Sequence, residues 1–153
     1  MSAADAVAMA HAGLAYLATA DVASLPAVAQ AECLRGLERA ESLHTAARAG
    51  VLAAFISSGG CEDDGQGSAR AWLRWQTRIT SGAAAGAVGW ARRLAAHPAV
   101  GQALAAGDIS ASWAREICSW TARLPHERQA GADAILLAAA GARRGTGRSG
   151  RAS

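Results

Sequence analysis

Four histidines and three cysteines are the residues best suited to acid–base, nucleophilic or metal chemistry in this sequence. A nuclease, hydrolase or metalloenzyme needs such groups to converge, and the first trace of convergence in a sequence is paired spacing. His11, His44, His97 and His126 show none. Cys33, Cys61 and Cys118 are odd in number, widely separated and free of a C-x-x-C pair, so they read as reduced thiols of a cytoplasmic protein. The acidic run "CEDDG" at 61–65 lacks the alternating acids and distant Glu of a calcium loop, and reads as a solvated loop. Gly82, Gly86 and Gly89 are not G-x-G-x-x-G and follow no strand, which removes the case for phosphate cradling. Glycine in a helix costs about 1 kcal/mol against alanine, so three of them predict close approach by a neighbouring backbone. No catalytic residue, cofactor or metal is expected.

One stretch keeps a possible ligand. "AAGDISASWAREICSWTARLP", residues 105–125, places a Gly-Asp turn between two helical segments. Two helices joined by a short glycine-containing turn have the outline of a helix-turn-helix, whose second helix offers its first turn to the major groove. That turn supplies Ser110, Ser112 and Arg115 as candidate DNA contacts. However, Arg115 stands beside Glu116, and Asp108 sits where phosphates would pass, a weak composition for groove reading. Ile109, Trp113, Ile117, Trp120 and Leu124 form one stripe, so the tryptophans read as core and the hairpin chiefly as structural.

The elements that must position these residues are helical. The chain of 153 residues is about one domain long and rich in Ala, with one Tyr, one Phe and little to build strands. An all-α fold follows. All fifteen basic residues are Arg, and four of them (Arg143, Arg144, Arg148 and Arg151) lie in the last eleven positions. Eleven Arg thus face twelve acids over residues 1–142, a net charge near −1 in which the basic footprint of a nucleic-acid binder is missing. Asp5 stands where a signal peptide needs positive charge, and charged residues interrupt every long apolar run, so neither export nor membrane insertion is expected.

Residues 3–19 read as a weak Ala-rich helix, leaving 1–24 as that helix or a flexible lead. Ser24 and Pro26 open a long helix to about residue 57, with a seam of Cys33, Leu37, Ala40, His44, Ala47, Val51 and Ala54, widened by Leu34, Leu43, Leu52 and Phe55. His44 thus reads as a packed core residue, and the 33–55 segment as a surface for partner helices or a second copy. Residues 57–68 read as a loop, and Ser68 caps a short helix carrying Trp72, Leu73, Trp75 and Ile79. A helix from Gly82 to about His97 follows, where His97 reads as a plain helix end. Pro98 starts a two-turn helix closed by Gly107, Ser110 caps the next, and the hairpin runs over about 98–124. Pro125 restarts the chain into a last helix with Ala130, Ala134, Ile135, Leu137 and Ala138 on its apolar side. Residues 141–153 lack any large apolar side chain and read as a disordered basic tail.

Five segments in this order, "SARAWL" (68–73), "ARRLAAHPAV" (91–100), "ALAAGDIS" (103–110), "WAREICSWTARLP" (113–125) and "ADAILLAAA" (132–140), resemble an actinobacterial helical family known as domain of unknown function 222. The family forms the N-terminal region of the thirteen-E-twelve repeat proteins, and the resemblance covers roughly residues 25–140. It implies a motif core of Trp72, Leu94, Pro98, Gly107, Ile109, Trp113, Ile117, Leu124 and Pro125. In this family the helical domain is commonly followed by an HNH nuclease domain, which this chain does not reach, and the turn into Arg, Gly and Ser after Ala140 departs from the acidic continuation of family members. The resemblance therefore implies a truncated, non-catalytic form with a DNA-associated or assembly role, its tail read out of frame. The alternative is a helical interaction or dimerisation module with no nucleic-acid role.

Overall fold

In a computed structural model that describes residues 1–145, every regular element is helical. α1 spans Ala3–Thr19, a 3-10 turn Val22–Ser24, α2 Ala27–Ser57, α3 Gly60–Asp63, α4 Ala69–Thr77, α5 Ser81–Ala96, α6 Pro98–Ala106, α7 Ala111–Thr121 and α8 His126–Gly145. The all-α reading holds, and no helix among the described residues is long and apolar enough to cross a membrane. The chain divides into two units, Met1–Leu37 and the residues from Glu38 onward, a division that falls inside α2.

In the first unit, Ser2 and Asp5 form a reciprocal cap on α1: Ser2 N–H donates to Asp5 Oδ2 (2.8 Å) and Asp5 N–H to Ser2 Oγ (3.1 Å). These bonds hold the Asp5 carboxyl below its usual range. None of the helix's 17 residues is buried. Gln30, in the first turns of α2, returns a side-chain hydrogen bond to the Val22 carbonyl at 3.0 Å.

The second unit holds the core, a cluster centred on Leu52, Leu73, Val88, Leu94, Val100, Leu104, Ile109 and Ile117. On α2 the buried positions are Ser42, Ala49 and Leu52. The expected seam is only partly inward: Leu52 is buried and Phe55 half-buried, whereas Leu34, Leu43, His44, Ala47, Val51 and Ala54 are exposed, Val51 by 71%. Leucines and valines point in several directions round α2, so apolar spacing did not single out one face, and Ser42 can be buried because its hydroxyl donates to the Glu38 carbonyl at 3.0 Å. The 57–68 loop contains the short α3, entered through Gly59 in the left-handed region (φ 75°). That loop is also less solvated than its acids suggest, because Cys61 is buried and the Trp72 indole donates to Asp64 Oδ2 at 2.6 Å.

Ser68 and Thr80 cap α4 and α5 by accepting from the N–H groups of Ala71 and Ala83. α5 buries Ala84, Val88, Ala91 and Leu94, and its glycines Gly82, Gly86 and Gly89 sit away from that face. Close backbone approach is therefore not their reason: a Cβ placed on any of them meets nothing within 4 Å. The 98–124 hairpin forms as read. Gly107 ends α6 at φ 70°, with Asp108 N–H bonded to the Ala103 carbonyl and Gly107 N–H to that of Leu104, and Ser110 caps α7.

Two apolar stripes differ from expectation. On α7 the core side is Ala114, Ile117, Cys118 and Thr121, while Trp113, Trp120 and Leu124 stay 38%, 48% and 38% exposed. Ala114, Cys118 and Thr121 around Ile117 let the helix sit close to the core, and the two large indoles meet edge-on beside it, 6.1 Å between centroids. On α8 the inward side is Asp133, Leu136, Leu137 and Ala140, whereas Ala130, Ala134, Ile135 and Ala138 are exposed. Of the motif core, Leu94, Gly107, Ile109 and Ile117 are buried and Trp72 is half-buried. Pro98 and Pro125 are exposed and serve as helix starts. α8 continues to Gly145, past the expected end at Ala140, so the start of the 141–153 tail is helical and its remainder lies outside the described residues.

Candidate anion-binding cleft

Three helices of the second unit enclose an open cleft of about 640 Å³. α2 contributes His44, Thr45 and Arg48; α5 contributes Gly86, Gly89, Trp90 and Arg93; α7 contributes Arg115, Glu116 and Ser119. Within each helix these residues recur at three- and four-residue steps, which places them on one side. Three guanidinium groups against one carboxylate leave the lining positive, a match for phosphate or carboxylate ligands.

Arg115 is held over the Trp90 ring, its Cζ 5.6 Å from the centroid, so its cation is oriented before any ligand arrives. The Trp90 Nε1–H is buried, and no acceptor among the described residues meets it. Gly86 and Gly89 carry no side chain into the space between the arginines, which explains glycine in the middle of α5 where a packing contact does not.

Of the three residues proposed for DNA contact, Arg115 alone lines this cleft. Ser110 Oγ accepts the Trp113 N–H at 3.2 Å as the α7 cap and lies 2.9 Å from Ser112 Oγ, so both hydroxyls are engaged at the helix end. His44, expected in the core, is an exposed cleft residue. Arg48 and Arg93 were missed. A signal for part of this was present, since residues 65–107 contain five Arg and no acid, a local excess that the near-neutral total conceals.

The second missed feature is a buried polar node. His97, at the elbow between α5 and α6, is 3% exposed, and its Nδ1 lies 2.8 Å from Oδ2 of Asp133, itself 2% exposed on α8. The Thr121 hydroxyl shares its proton between Asp133 Oδ1 (2.8 Å) and the Ile117 carbonyl (2.9 Å). The plain helix end expected at His97 is thus a core attachment, which a lone Asp inside "ADAILL" could have signalled. His97, Asp133 and Thr121 are absent from the cleft lining, and the nearby Cys118 is no nucleophile, since burial, with help from the Asp133 charge and against Arg93, pushes its thiol up to about 11. Among the described residues no group of three or more His, Cys, Asp or Glu side chains is placed to hold a metal ion.

The profile of one family, described as domain of unknown function DUF222, matches residues 28–148. No curated protein and no solved structure matches the chain. The matched span takes in all of α3 to α8 and the whole cleft, and on that ground the chain belongs to the DUF222 family.

Proposed function

We propose that this chain is a non-catalytic, DNA-associated domain that holds DNA phosphates in the cleft of Arg48, Arg93 and Arg115, supporting an HNH-type nuclease of the kind that accompanies the family in the actinobacterial cytoplasm. The carrying observation is that three helices each bring one guanidinium to a single cleft containing one carboxylate. Guanidinium groups pair with phosphate oxygens in a fixed, two-pronged geometry, which suits three of them converging on one cleft. In this reading the cleft takes over the role that the first turn of α7 had in the sequence.

The test is fluorescence anisotropy of the full chain with a short labelled duplex at several salt concentrations. Arg48→Ala, Arg93→Ala and Arg115→Ala should each weaken binding across unrelated sequences and lower the salt slope by about one. Affinity that ignores all three, or disappears only on removal of the residues after Ala140, overturns the reading.

A second reading, self-association through the long helix, draws on a separate groove of about 580 Å³ between α2, α5 and α6, lined by Leu43, Ala46, Gly50, Leu94 and other small apolar residues. Leu43→Asp should then dissociate an oligomer seen by sedimentation; a monomeric parent chain overturns it.

A further inference from the structure

α4 carries two tryptophans three residues apart with opposite surroundings. Trp72 is committed to the fold: its indole N–H donates to Asp64, and its ring lies against Phe55 with 4.6 Å between centroids. Trp75 is 75% exposed, the most open of the five tryptophans, and makes no hydrogen bond or ring contact among the described residues. It lines a shallow hollow of about 500 Å³ together with Arg74, Arg78 and Ile79. Arg78 ends α4 in the left-handed region (φ 54°, ψ 27°), where glycine is the usual residue. An arginine thus occupies a position where backbone geometry alone would favour glycine.

We infer that Trp75, Arg74 and Arg78 form a stacking site for an unpaired nucleotide, the indole covering the base while the guanidinium groups neutralise its flanking phosphates. The inference rests on the DNA reading above and deepens it, by naming a single-stranded stretch as what this face of α4 takes. An exposed flat indole gains most from a base whose face is uncovered, and in a paired duplex those faces are stacked on one another. An acidic partner is the complement of this hollow, because both charged residues that line it, Arg74 and Arg78, are cationic.

The experiment compares the full chain with Trp75→Ala and Trp75→Phe, using labelled oligothymidine and a paired duplex of equal length. Trp75→Ala should weaken oligothymidine binding at least about fivefold, with Trp75→Phe and all duplex affinities held within about twofold. Since Trp75 is exposed, thermal unfolding should be unchanged. Oligothymidine binding that is indifferent to Trp75→Ala overturns the inference, as does an equal loss on both DNAs. A variant that alters sedimentation of the chain without altering oligothymidine binding also overturns it, in favour of a protein contact. Duplex binding without any oligothymidine binding removes this inference and leaves the DNA reading standing; absence of both removes the two together.

Discussion

His97 Nδ1 and Asp133 Oδ2 lie 2.8 Å apart, joining two buried side chains that are 36 residues apart in the chain. His97 sits at the α5–α6 elbow and Asp133 on α8, and Thr121 of α7 occupies the second carboxylate oxygen. Four helices therefore meet at one carboxylate. Removing one partner of a buried pair leaves the others without hydrogen-bonding water or protein, so Asp133→Ala should lower unfolding stability by about 3 kcal/mol. Thr121→Val, which keeps the shape and loses the hydroxyl shared between Asp133 and the Ile117 carbonyl, should cost about 1 kcal/mol. The two costs should fall short of additivity in the double variant, because each removes a bond the other has already broken. Urea unfolding measures all three.

The glycines of α5 should show opposite effects on stability and binding. Gly86→Ala and Gly89→Ala each replace a flexible residue in a helix interior, with open space at the Cβ, and should add about 0.5–1 kcal/mol apiece. Both methyl groups would enter the cleft between the arginines, so the double variant should melt higher and bind duplex DNA more weakly. A variant that is more stable and binds unchanged would separate these glycines from the cleft's role.

Gly107 should be intolerant of the same change. At φ 70° a Cβ is strained, and it would come 2.9 Å from Cγ and Nε of Arg39, whose Nη2 donates to the Ala106 carbonyl at 3.0 Å. Gly107→Ala should cost about 1–2 kcal/mol in a thermal or urea melt, near the left-handed penalty alone. The loss should stay near that value when Arg39 is also shortened to alanine, because a flexible side chain can move aside while the left-handed backbone cannot.

Cys118 gives a pH dependence of definite sign. Its folded thiol is raised from 9.0 to about 11 by burial, so between those values the unfolded chain releases a proton that the folded chain keeps. The stabilisation is complete below pH 9.0 and fades as pH climbs towards about 11; the urea midpoint should fall over this window in the parent chain and less in Cys118→Ala. At neutral pH a disulfide reagent should label the half-buried Cys33 and spare the fully buried Cys118 until the chain unfolds.

Helix positions were legible in the sequence because Ser68, Ser110, Pro98, Pro125 and Gly107 act through local backbone rules that need no tertiary partner. The inward faces were harder to read. On α2, α7 and α8 the side turned to the core mixes Leu52, Ile117, Leu136 and Leu137 with Ala, Ser, Cys, Thr and Asp, and the burial of the small and polar residues depends on a close neighbour or a hydrogen bond from elsewhere in the chain. Large residues such as Val51, Trp113, Trp120 and Ile135 looked like core and remain exposed for the same reason: helices packed on small residues leave no room for them. The cleft was legible only in part, since Arg115 is local to a recognisable hairpin while Arg48 and Arg93 reach it from helices 45 residues apart along the sequence.

An alanine-rich helix such as α8 presents nearly the same surface at many rotations, and packing alone discriminates poorly between one seating and the next. The carboxylate of Asp133 breaks that degeneracy. Turning α8 by one residue would carry it off both His97 and Thr121 and set an alanine in its place, a mismatch no neighbouring side chain could repair. The node therefore specifies register as much as it adds stability: it lets a helix half made of alanine and glycine settle in a single position.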